Sequence, residues 1–317
     1  MGGMHAAGGR DEVTVVAPST IANLNCGFDG LGCALESPVE RLVARRIPGA
    51  AGVVRIAAIH GAEGLPMEAE RNVSGAAAAS LLRALAPEWG VELTLYKDVQ
   101  PGSGLGSSAA SAAAAVVAVD ALAGAELRRD ELIPFALDGE VLASGARHAD
   151  NVAPALLGGV VLCPPSGNPV SLPVPPDWHI AVLHPQVEVR TSDARRVLPE
   201  AVPLRAAVDQ ARWLGMFVAA CHRGDGVAAA FALEDLYIGP ARAGLLPAYD
   251  AVRAAAFQAG ARAGGIAGSG PSTFWVAFDA QTAREAGEAA RAAVHAAGFR
   301  AHLHLTALSG KGAYVVA

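Results

Sequence analysis

The sequence predicts an α+β protein of two domains. Its 317 residues exceed what one compact core usually holds, and apolar residues, at 52% against 17% charged, are plentiful enough to fill two cores. Segments that alternate with the period of a strand are interleaved with alanine-rich segments that favour helices. A stretch at residues 163–178 holds six of the twenty prolines and marks the predicted boundary. We therefore expect a flexible leader at 1–11, an N-terminal nucleotide-binding domain at 12–167 and a C-terminal domain at 168–317.

The first half of the chain mixes strands and helices. The elements expected there are, in order, a strand at 13–19, a Gly- and Asn-rich connector at 21–35, a hairpin over 41–59, a helix at 72–86, a strand at 91–97, and helices from the loop at 101–111 to about residue 123 and at 130–145. Pro87 ends the first of these helices, because proline removes a helical hydrogen bond.

The second half predicts helices laid on one antiparallel sheet. Its expected elements are a strand at 179–185, helices at 193–197, 205–223 and 225–235, the segment AYDAVRAAAFQAG at 248–260, a second Gly-rich turn at 264–272, a strand at 273–278, a helix at 281–297 and closing strands to Val316.

Composition and charge argue against several classes of partner. The net charge of −6 does not favour nucleic acid, which usually needs a basic face. The longest apolar run, Ala109–Val119, is shorter than the roughly 20 residues of a membrane span, and residues 1–12 lack the apolar core of a signal peptide. The four cysteines show no CxxC spacing, which predicts reduced thiols. We expect a cytoplasmic protein without nucleic-acid or membrane partners.

The sequence PGSGLGSSAAS at residues 101–111 has the composition of an anion site. It joins a strand to a helix and contains three glycines and four serines. Glycine allows a ligand to approach the main chain, and the free N–H groups at a helix start attract phosphate. We expect Ser107 or Ser108 to cap this helix, and either hydroxyl is small enough to reach a bound metal. The loop therefore predicts binding of a di- or triphosphate.

Three familiar patterns fail at this loop. No Lys-Ser or Lys-Thr follows the glycines, so it is not a Walker motif. The third glycine comes one residue too early for a dinucleotide fingerprint, and Asp120 lies inside the predicted helix. No GxSxG is present, which excludes a nucleophile elbow of the hydrolase type.

The loop resembles the phosphate loop of the GHMP small-molecule kinases. Four further motifs stand in the order found in the homoserine kinases of that superfamily: APSTIANLNCGFDGLGCAL, GARHADNVAPALLGG, RTSDARRVLP and GIAGSGPSTFWV. The first motif lacks the charged residue and the Gly-Glu-His that mevalonate kinases and galactokinases have there. The resemblance extends from Val13 to Val316.

This resemblance implies both a fold and a reaction. The fold is a two-domain GHMP kinase fold, with an N-terminal domain like ribosomal protein S5 domain 2 and a ferredoxin-like C-terminal domain. The implied reaction is ATP-dependent phosphorylation of the side-chain hydroxyl of L-homoserine, by direct, Mg²⁺-assisted transfer, in threonine biosynthesis. Relatives often pair, so a homodimer is a further expectation.

The resemblance also assigns residues to roles. It places ATP against Asn72, Val73, Lys97, Pro101, Gly102, Ser103, Gly104, Leu105, Gly106, Ser107, Ser108 and Ala109. It places Mg²⁺ on Ser108 and Glu140, which with Asn151 form the expected catalytic set. It places homoserine against Asn23, Asp29, Asn151, Thr191, Arg195 and Arg242. The chemistry agrees, since guanidinium forks suit a carboxylate and Asn or Asp oxygens can accept from an ammonium.

The general base is an open question in the sequence. In some relatives an aspartate beside the acceptor hydroxyl is proposed for that role, and here Asp150 directly precedes Asn151. If the segment is extended, only one of the two can face the substrate, and we favour Asn151 with a structural Asp150. His148 is expected to stabilise the loop rather than act as a base. His302 and His304 share a strand face, but no third ligand for a metal is evident.

Three rival functions are left. Another GHMP kinase could act on a different hydroxylated anion such as shikimate. A nucleotide- or RNA-binding module could retain the S5-like fold without catalysis, although the net charge disfavours RNA. A Rossmann oxidoreductase is the most distant rival.

Overall fold

The computed structural model describes residues 10–145 and 147–316. Of the expected leader at 1–11, residues 1–9 lie outside that range, and the first strand begins at Glu12. The elements up to the middle of the chain are β1 (Glu12–Ala22), β2 (Leu31–Pro48), β3 (Val54–His60), α1 (Val73–Leu85), β4 (Trp89–Lys97), α2 (Ser107–Ala123), α3 (Arg129–Ser144), α4 (Ala149–Leu157), β5 (Val160–Leu162) and β6 (Val170–Leu172).

The remaining elements complete the chain. They are β7 (His179–Pro185), α5 (Thr191–Arg196), α6 (Leu204–Arg223), α7 (Gly226–Phe231), α8 (Ile238–Arg242), α9 (Tyr249–Gln258), β8 (Ala263–Ile266), β9 (Thr273–Ala277), α10 (Ala280–Ala296), β10 (Ala301–Thr306) and β11 (Tyr314–Val316), with short 3₁₀ helices at Ala69–Arg71 and Ala243–Leu245.

The first sheet has the strand order β11-β1-β2-β4-β3, with β5 paired to the start of β2 and β6 paired to β5. The predicted hairpin over 41–59 is wrong. β4 lies between β2 and β3, antiparallel to β2 and parallel to β3, because α1 returns the chain to insert the later strand. The predicted connector at 21–35 is also too long, since β1 continues to Ala22 and β2 begins at Leu31.

Helix α2 lies at the centre of the first core. Its residues from Ala109 to Val119 are at most 5% exposed, and it packs against α1, α3, α4 and strands β1 and β2. A helix covered on all sides needs no polar face, which explains the run of alanine and valine. Burial on every side fixes the start of α2, and the loop at 101–106 leads directly into it.

The second sheet has the antiparallel order β10-β7-β9-β8, which confirms the predicted antiparallel sheet of the second half. Strand and helix follow one another as in a ferredoxin-like βαββαβ unit, with helices α5 to α9 after β7 and α10 after β9. The helices α9 and α10 pack on one face through Trp275 and Leu183. The other face packs Val276 and Phe274 against α6 and against the first motif.

The sheets do not divide at residue 167. β6 pairs with β5, and β11 returns from the end of the chain to pair with β1, so both belong to the first sheet. The division into 12–167 and 168–317 therefore stays a prediction about domains. No helix in the described part of the chain has the length and hydropathy that crossing a membrane requires.

Candidate active site

A cleft of about 860 Å³ receives residues from both halves of the chain. Its size suits a nucleotide with a small second substrate. The predicted site residues that line it are Asn23, Asp29, Asn72, Val73, Lys97, Pro101, Gly102, Ser103, Gly104, Gly106, Ser107, Ser108, Glu140, Asn151, Thr191, Arg195 and Arg242. The side chains of Leu105 and Ala109 are buried in the core, so at these two positions only the backbone could meet a ligand.

The loop before α2 adopts the backbone that its glycines allow. Gly102, Gly104 and Gly106 have φ values of 75°, 81° and 64°, in the left-handed region. The chain then enters α2, whose first N–H groups have no carbonyl within the helix to bond. The positive end of the helix dipole thus opens on the cleft at Ser107 and Ser108.

The expected serine cap of this helix is wrong. The N-cap position belongs to Gly106, which makes no side-chain cap hydrogen bond. The Ser107 hydroxyl lies 2.8 Å from the carbonyl oxygen of Val99 and 3.2 Å from Glu40 Oε1, and the Ser108 hydroxyl donates to Glu140 Oε1 at 3.0 Å. Both hydroxyls contact oxygen atoms of other segments, so neither serine caps the backbone N–H groups of α2.

The second Gly-rich turn packs directly on this loop. The Ser272 N–H donates to the Ser103 carbonyl at 3.1 Å. A methyl group on Gly104 would lie 2.6 Å from the carbonyl oxygen of Gly270 and 2.7 Å from that of Ala267. Glycine is therefore required at 104 both for its φ and for this close approach, which joins the two halves of the chain at the cleft.

Glu140 and Ser108 form the predicted metal pair. Glu140 is 7% exposed on α3, opposite the start of α2. Burial raises the pKa of its carboxyl to about 7, the Ser108 hydroxyl opposes the rise and nearby Asp150 adds to it. A hydroxyl and a carboxylate are oxygen ligands of the kind that hard divalent cations take.

The predicted adenine end lies at the start of α1. Asn72 is the N-cap of α1, and its Oδ1 accepts from the N–H groups of Ser74 and Gly75 at 3.0 and 3.4 Å. Its amide nitrogen donates to the carbonyl of Pro66 at 2.9 Å, which holds the segment beside Val73. The cap thus shapes this wall of the cleft.

The predicted acceptor end is built around an ion pair. Arg195 donates to both Asp29 oxygens, at 2.9 and 3.2 Å, and both side chains are about one third exposed. His148 Nε2 lies 3.0 Å from the same guanidinium, and because arginine cannot accept, this nitrogen is the acceptor. His148 therefore orients Arg195.

Arg242 lies deeper at the same end. It is 3% exposed and donates to the carbonyls of Ala194 and Gly268 at 3.1 and 2.9 Å. Burial lowers the pKa of its guanidinium, and the positive charge of Arg195 lowers it further. Both arginines lie over the ring of Phe28, at 5.9 Å for Arg195 and 5.3 Å for Arg242. Two cations are therefore gathered at one point of the cleft.

Asn23 is tied to the backbone around it. Its amide nitrogen donates to the Gly268 carbonyl at 3.1 Å, and its Oδ1 accepts from the Asp29 N–H at 2.9 Å. Asn23 and Asp29 both have positive φ, a conformation that these residue types tolerate better than most. Asn23 thereby holds the loop that presents the Asp29 carboxylate.

Asp150 and Asn151 both line the cleft, which corrects the premise of an extended segment. Residues Ala149–Leu157 form helix α4, so the two neighbours do not point to opposite sides. Asn151 Oδ1 accepts from the Thr20 hydroxyl at 2.7 Å. Burial raises the pKa of Asp150 to about 7, and the Asp29 carboxylate raises it further.

Sequence reasoning missed three residues of the site. Thr20 fixes the Asn151 side chain, and Glu40 and Ser111 contact Lys97. Thr20 stands inside the quoted first motif. Glu40 stands two residues before the buried Leu42 on β2, so the two-residue period of the strand places its carboxyl group on the same inward face.

A second cavity of about 170 Å³ collects three histidines. His184 joins His302 and His304 beside Asp98 and the entry to the loop at 101–106. Burial lowers the pKa of His184 to about 4, and the neighbouring histidines contribute. Among the described residues, however, no group of three or more His, Cys, Asp or Glu side chains could hold a metal ion.

Comparison with known proteins gives one consistent result. The family models described as GHMP kinases N terminal domain and GHMP kinases C terminal match residues 72–159 and 217–296. Homoserine kinase of Xylella fastidiosa is 41% identical over 315 residues, covering 98% of this chain and 96% of its own, and that of Xanthomonas campestris is 40% identical over 313 residues with the same coverage. The crystal structure of homoserine kinase from Cytophaga hutchinsonii superposes with a TM-score of 0.92 at 38% identity, covering 99% of this chain and 100% of its own.

Proposed function

This chain belongs to the homoserine kinases of the GHMP kinase family, and from that membership we propose how it phosphorylates L-homoserine with ATP. The product is O-phospho-L-homoserine, which places the enzyme in threonine biosynthesis. The observation that best supports the proposal is that one cleft contains both an N–H cradle for phosphates and a carboxylate–guanidinium pair. Shikimate and the other rivals have no comparable support.

The phosphate end would bind ATP through the backbone. The N–H groups between Gly104 and Ser108 are the donors, because the left-handed glycines and the start of α2 turn them toward the cleft. The adenine would lie against Asn72 and Val73, where the cap holds the wall in place. Donors fixed in advance need no rearrangement when charge develops on the transferred group.

The residues at the start of α2 fit a magnesium ion. Ser108 and Glu140 supply a hydroxyl and a carboxylate 3.0 Å apart, and Mg²⁺ is commonly held by one or two protein oxygens together with substrate phosphates. When bound there, Mg²⁺ neutralises charge on the β- and γ-phosphates. Its positive charge would also favour the ionised form of Glu140, whose pKa burial raises to about 7.

The acceptor end is complementary to an amino-acid zwitterion. In the ligand-free cleft Arg195 and Asp29 neutralise each other. Homoserine brings one carboxylate and one ammonium, so it can replace each partner: its carboxylate takes the Arg195 fork and its ammonium takes Asp29. Arg242 supplies further positive potential from its deeper position at the same end of the cleft. Shikimate has a carboxylate but no ammonium, so it would leave Asp29 without a counter-charge.

The hydroxyl end of homoserine would face Asn151 and Thr191. Thr20 holds the Asn151 oxygen, which leaves the amide N–H groups to orient the acceptor oxygen. Phosphoryl transfer is mainly positioning and charge neutralisation, so direct transfer does not need a strong base. Asp150 then has a structural role. As the new O–P bond forms and the bond from the γ-phosphorus to ADP breaks, the hydroxyl proton would pass to an oxygen of the transferred phosphoryl group or to solvent water.

The proposal also includes the location of the enzyme in the cell and its oligomeric state. All four cysteines are buried free thiols, which supports a cytoplasmic location. A homodimer is proposed from the family and can be tested by light scattering at several concentrations.

The test is a panel of acceptors with identified products. ATP is supplied with L-homoserine, L-serine, L-threonine, mevalonate or shikimate, and both ADP and the phosphorylated product are measured. We expect kcat/KM for L-homoserine to exceed that of every other acceptor by at least about a hundredfold. Preference for shikimate or mevalonate, or ADP release without any acceptor, would contradict the proposal.

A matched acceptor isolates the ammonium contact. 4-Hydroxybutanoate is homoserine without its ammonium, and the wild-type enzyme should discriminate against it by about a hundredfold or more, because Asp29 would face no cation. In Asp29→Asn that discrimination should shrink to roughly tenfold or less, since the asparagine has no charge to satisfy. Equal discrimination by both proteins would remove Asp29 from the acceptor site.

A further inference from the structure

A buried ion pair lies behind the first turn of α2. Glu40 on β2 and Lys97 on β4 are direct partners across the antiparallel strands. Glu40 Oε1 lies 3.2 Å from Lys97 Nζ, and each side chain is 3% exposed. Both residues interrupt rows of inward apolar residues, which makes a charge there costly unless it is paired.

The ammonium group of Lys97 is fully used inside the protein. A lysine has three N–H donors, and here three acceptors surround Nζ: Glu40 Oε1 at 3.2 Å, the Ser107 carbonyl at 3.2 Å and the Ser111 hydroxyl at 2.7 Å. A phosphate contact from Lys97 would require one of these bonds to break. Lys97 lines the cleft, but this alone does not make it a phosphate ligand.

The same network fixes the start of α2. The Ser107 carbonyl and the Ser111 hydroxyl stand one turn apart on the helix, and Lys97 binds both. Glu40 adds a contact to the Ser107 hydroxyl at 3.2 Å. The first turn of α2 is thereby tied to two strands of the first sheet through one charged pair.

We propose that Glu40 and Lys97 are positioning residues of the nucleotide site, which orient the first turn of α2 without donating to phosphate. This inference rests on the proposed function in one respect: the N–H groups at Ser107 and Ser108 are taken as the phosphate cradle. It assigns Glu40 a role in nucleotide binding and makes the action of Lys97 on ATP indirect, through the helix.

Buried ion pairs predict a distinctive mutational pattern. Removing one partner leaves an uncompensated buried charge, whereas replacing both with neutral groups is often nearly harmless. Burial raises the pKa of Glu40 to about 7 and lowers that of Lys97, and the opposite charge of each partner opposes the shift of the other. If the pair acts on nucleotide only through α2, the double variant should bind nucleotide better than either single variant, because packing on every side still holds the helix once no unpaired charge disturbs its first turn. A direct phosphate ligand gives no such recovery.

The test compares Glu40→Gln, Lys97→Met and the double variant. The control is Glu92→Gln, which removes the carboxylate of the 3.5 Å ion pair with Arg55. Glu92 is on the same strand as Lys97, but its side chain is partly exposed. Calorimetry measures the Kd of a non-hydrolysable ATP analogue with Mg²⁺ and without acceptor, and steady-state kinetics give KM for ATP and for homoserine.

We expect each single variant to raise the nucleotide Kd by about tenfold or more and the double variant to return within about threefold of wild type. KM for homoserine should change by less than about twofold throughout, which a general loss of structure would not spare. If a single variant does not fold, the nucleotide Kd of the double variant is compared with that of wild type alone, and the same limit on that ratio tests the inference.

Two results would overturn the inference. One is a double variant as weak as Lys97→Met, which would make Lys97 a direct phosphate ligand. The other is single variants that bind as tightly as Glu92→Gln. If wild type binds the analogue but does not phosphorylate homoserine, the proposed function fails while this inference stands.

Discussion

Replacing Asp150 by Asn distinguishes a structural carboxyl group from a catalytic base. Asp150 is 4% exposed at the start of α4, next to Asn151, and the substitution changes its charge but hardly its size. In the proposed mechanism no side chain takes the hydroxyl proton, so kcat for homoserine should fall by less than about tenfold. A general base would give a loss on the order of a thousandfold.

The same substitution has an effect on stability that can be calculated. Burial, together with the Asp29 carboxylate, raises the pKa of Asp150 from 3.8 to about 7. The folded protein therefore holds this proton more tightly than the unfolded chain, and the stabilisation is lost as pH rises through about 7. Linkage gives a loss of about 1.4 kcal/mol between about pH 6 and about pH 8 from this group.

Urea unfolding of the ligand-free protein measures this contribution. The free energy of unfolding is determined at about pH 6, 7 and 8 for wild type and Asp150→Asn, and the difference in their pH dependence isolates Asp150 from other titrating groups. We expect the wild-type decline to exceed that of the variant by about 1 to 2 kcal/mol. Parallel curves would refute the burial argument, and a thousandfold loss of kcat would make Asp150 the base.

Three further substitutions test other parts of the cleft. Arg195→Lys should raise KM for homoserine by about ten- to a hundredfold and leave KM for ATP nearly unchanged, because lysine cannot form the bidentate fork; equal effects on both constants would contradict this. Gly104→Ala should lower the free energy of unfolding by clearly more than the about 1 to 2 kcal/mol that a left-handed φ costs, because its methyl group would lie 2.6 Å from a carbonyl oxygen. Gly102→Ala has open space around its methyl group and should show the cost of φ alone. Urea unfolding compares the two variants, and equal losses would refute the close packing at Gly104. Glu140→Gln should raise the Mg²⁺ concentration for half-maximal rate by about tenfold or more, measured at saturating ATP, and an unchanged requirement would remove Glu140 from the metal site.

The fold was predictable where its signals are local. Helix α2 and the strand before it follow from periodicity, and the glycines between them predict the loop. The hairpin over 41–59 failed because the partner of β3 is β4, which stands beyond α1 in the sequence. A pairing that skips an intervening helix leaves no mark in the local pattern of residues 41–59.

The acceptor end of the site was predictable only in part. The motifs named Asp29 and Arg195, but their mutual pairing required the structure, since 166 positions separate them. The choice between Asp150 and Asn151 relied on an extended backbone, whereas the segment is helical and both side chains line the cleft. A strand partner for a buried charge, such as Glu40 for Lys97, depends on register that the sequence alone does not specify.

The most direct measurement is a crystal structure with a non-hydrolysable ATP analogue, Mg²⁺ and L-homoserine bound together. We expect terminal phosphates on the N–H groups of Gly104 to Ser108, and Arg195 turned from Asp29 to the homoserine carboxylate. Phosphates bound elsewhere, or an intact pair between Arg195 and Asp29 with homoserine outside it, would contradict the proposed binding of both substrates.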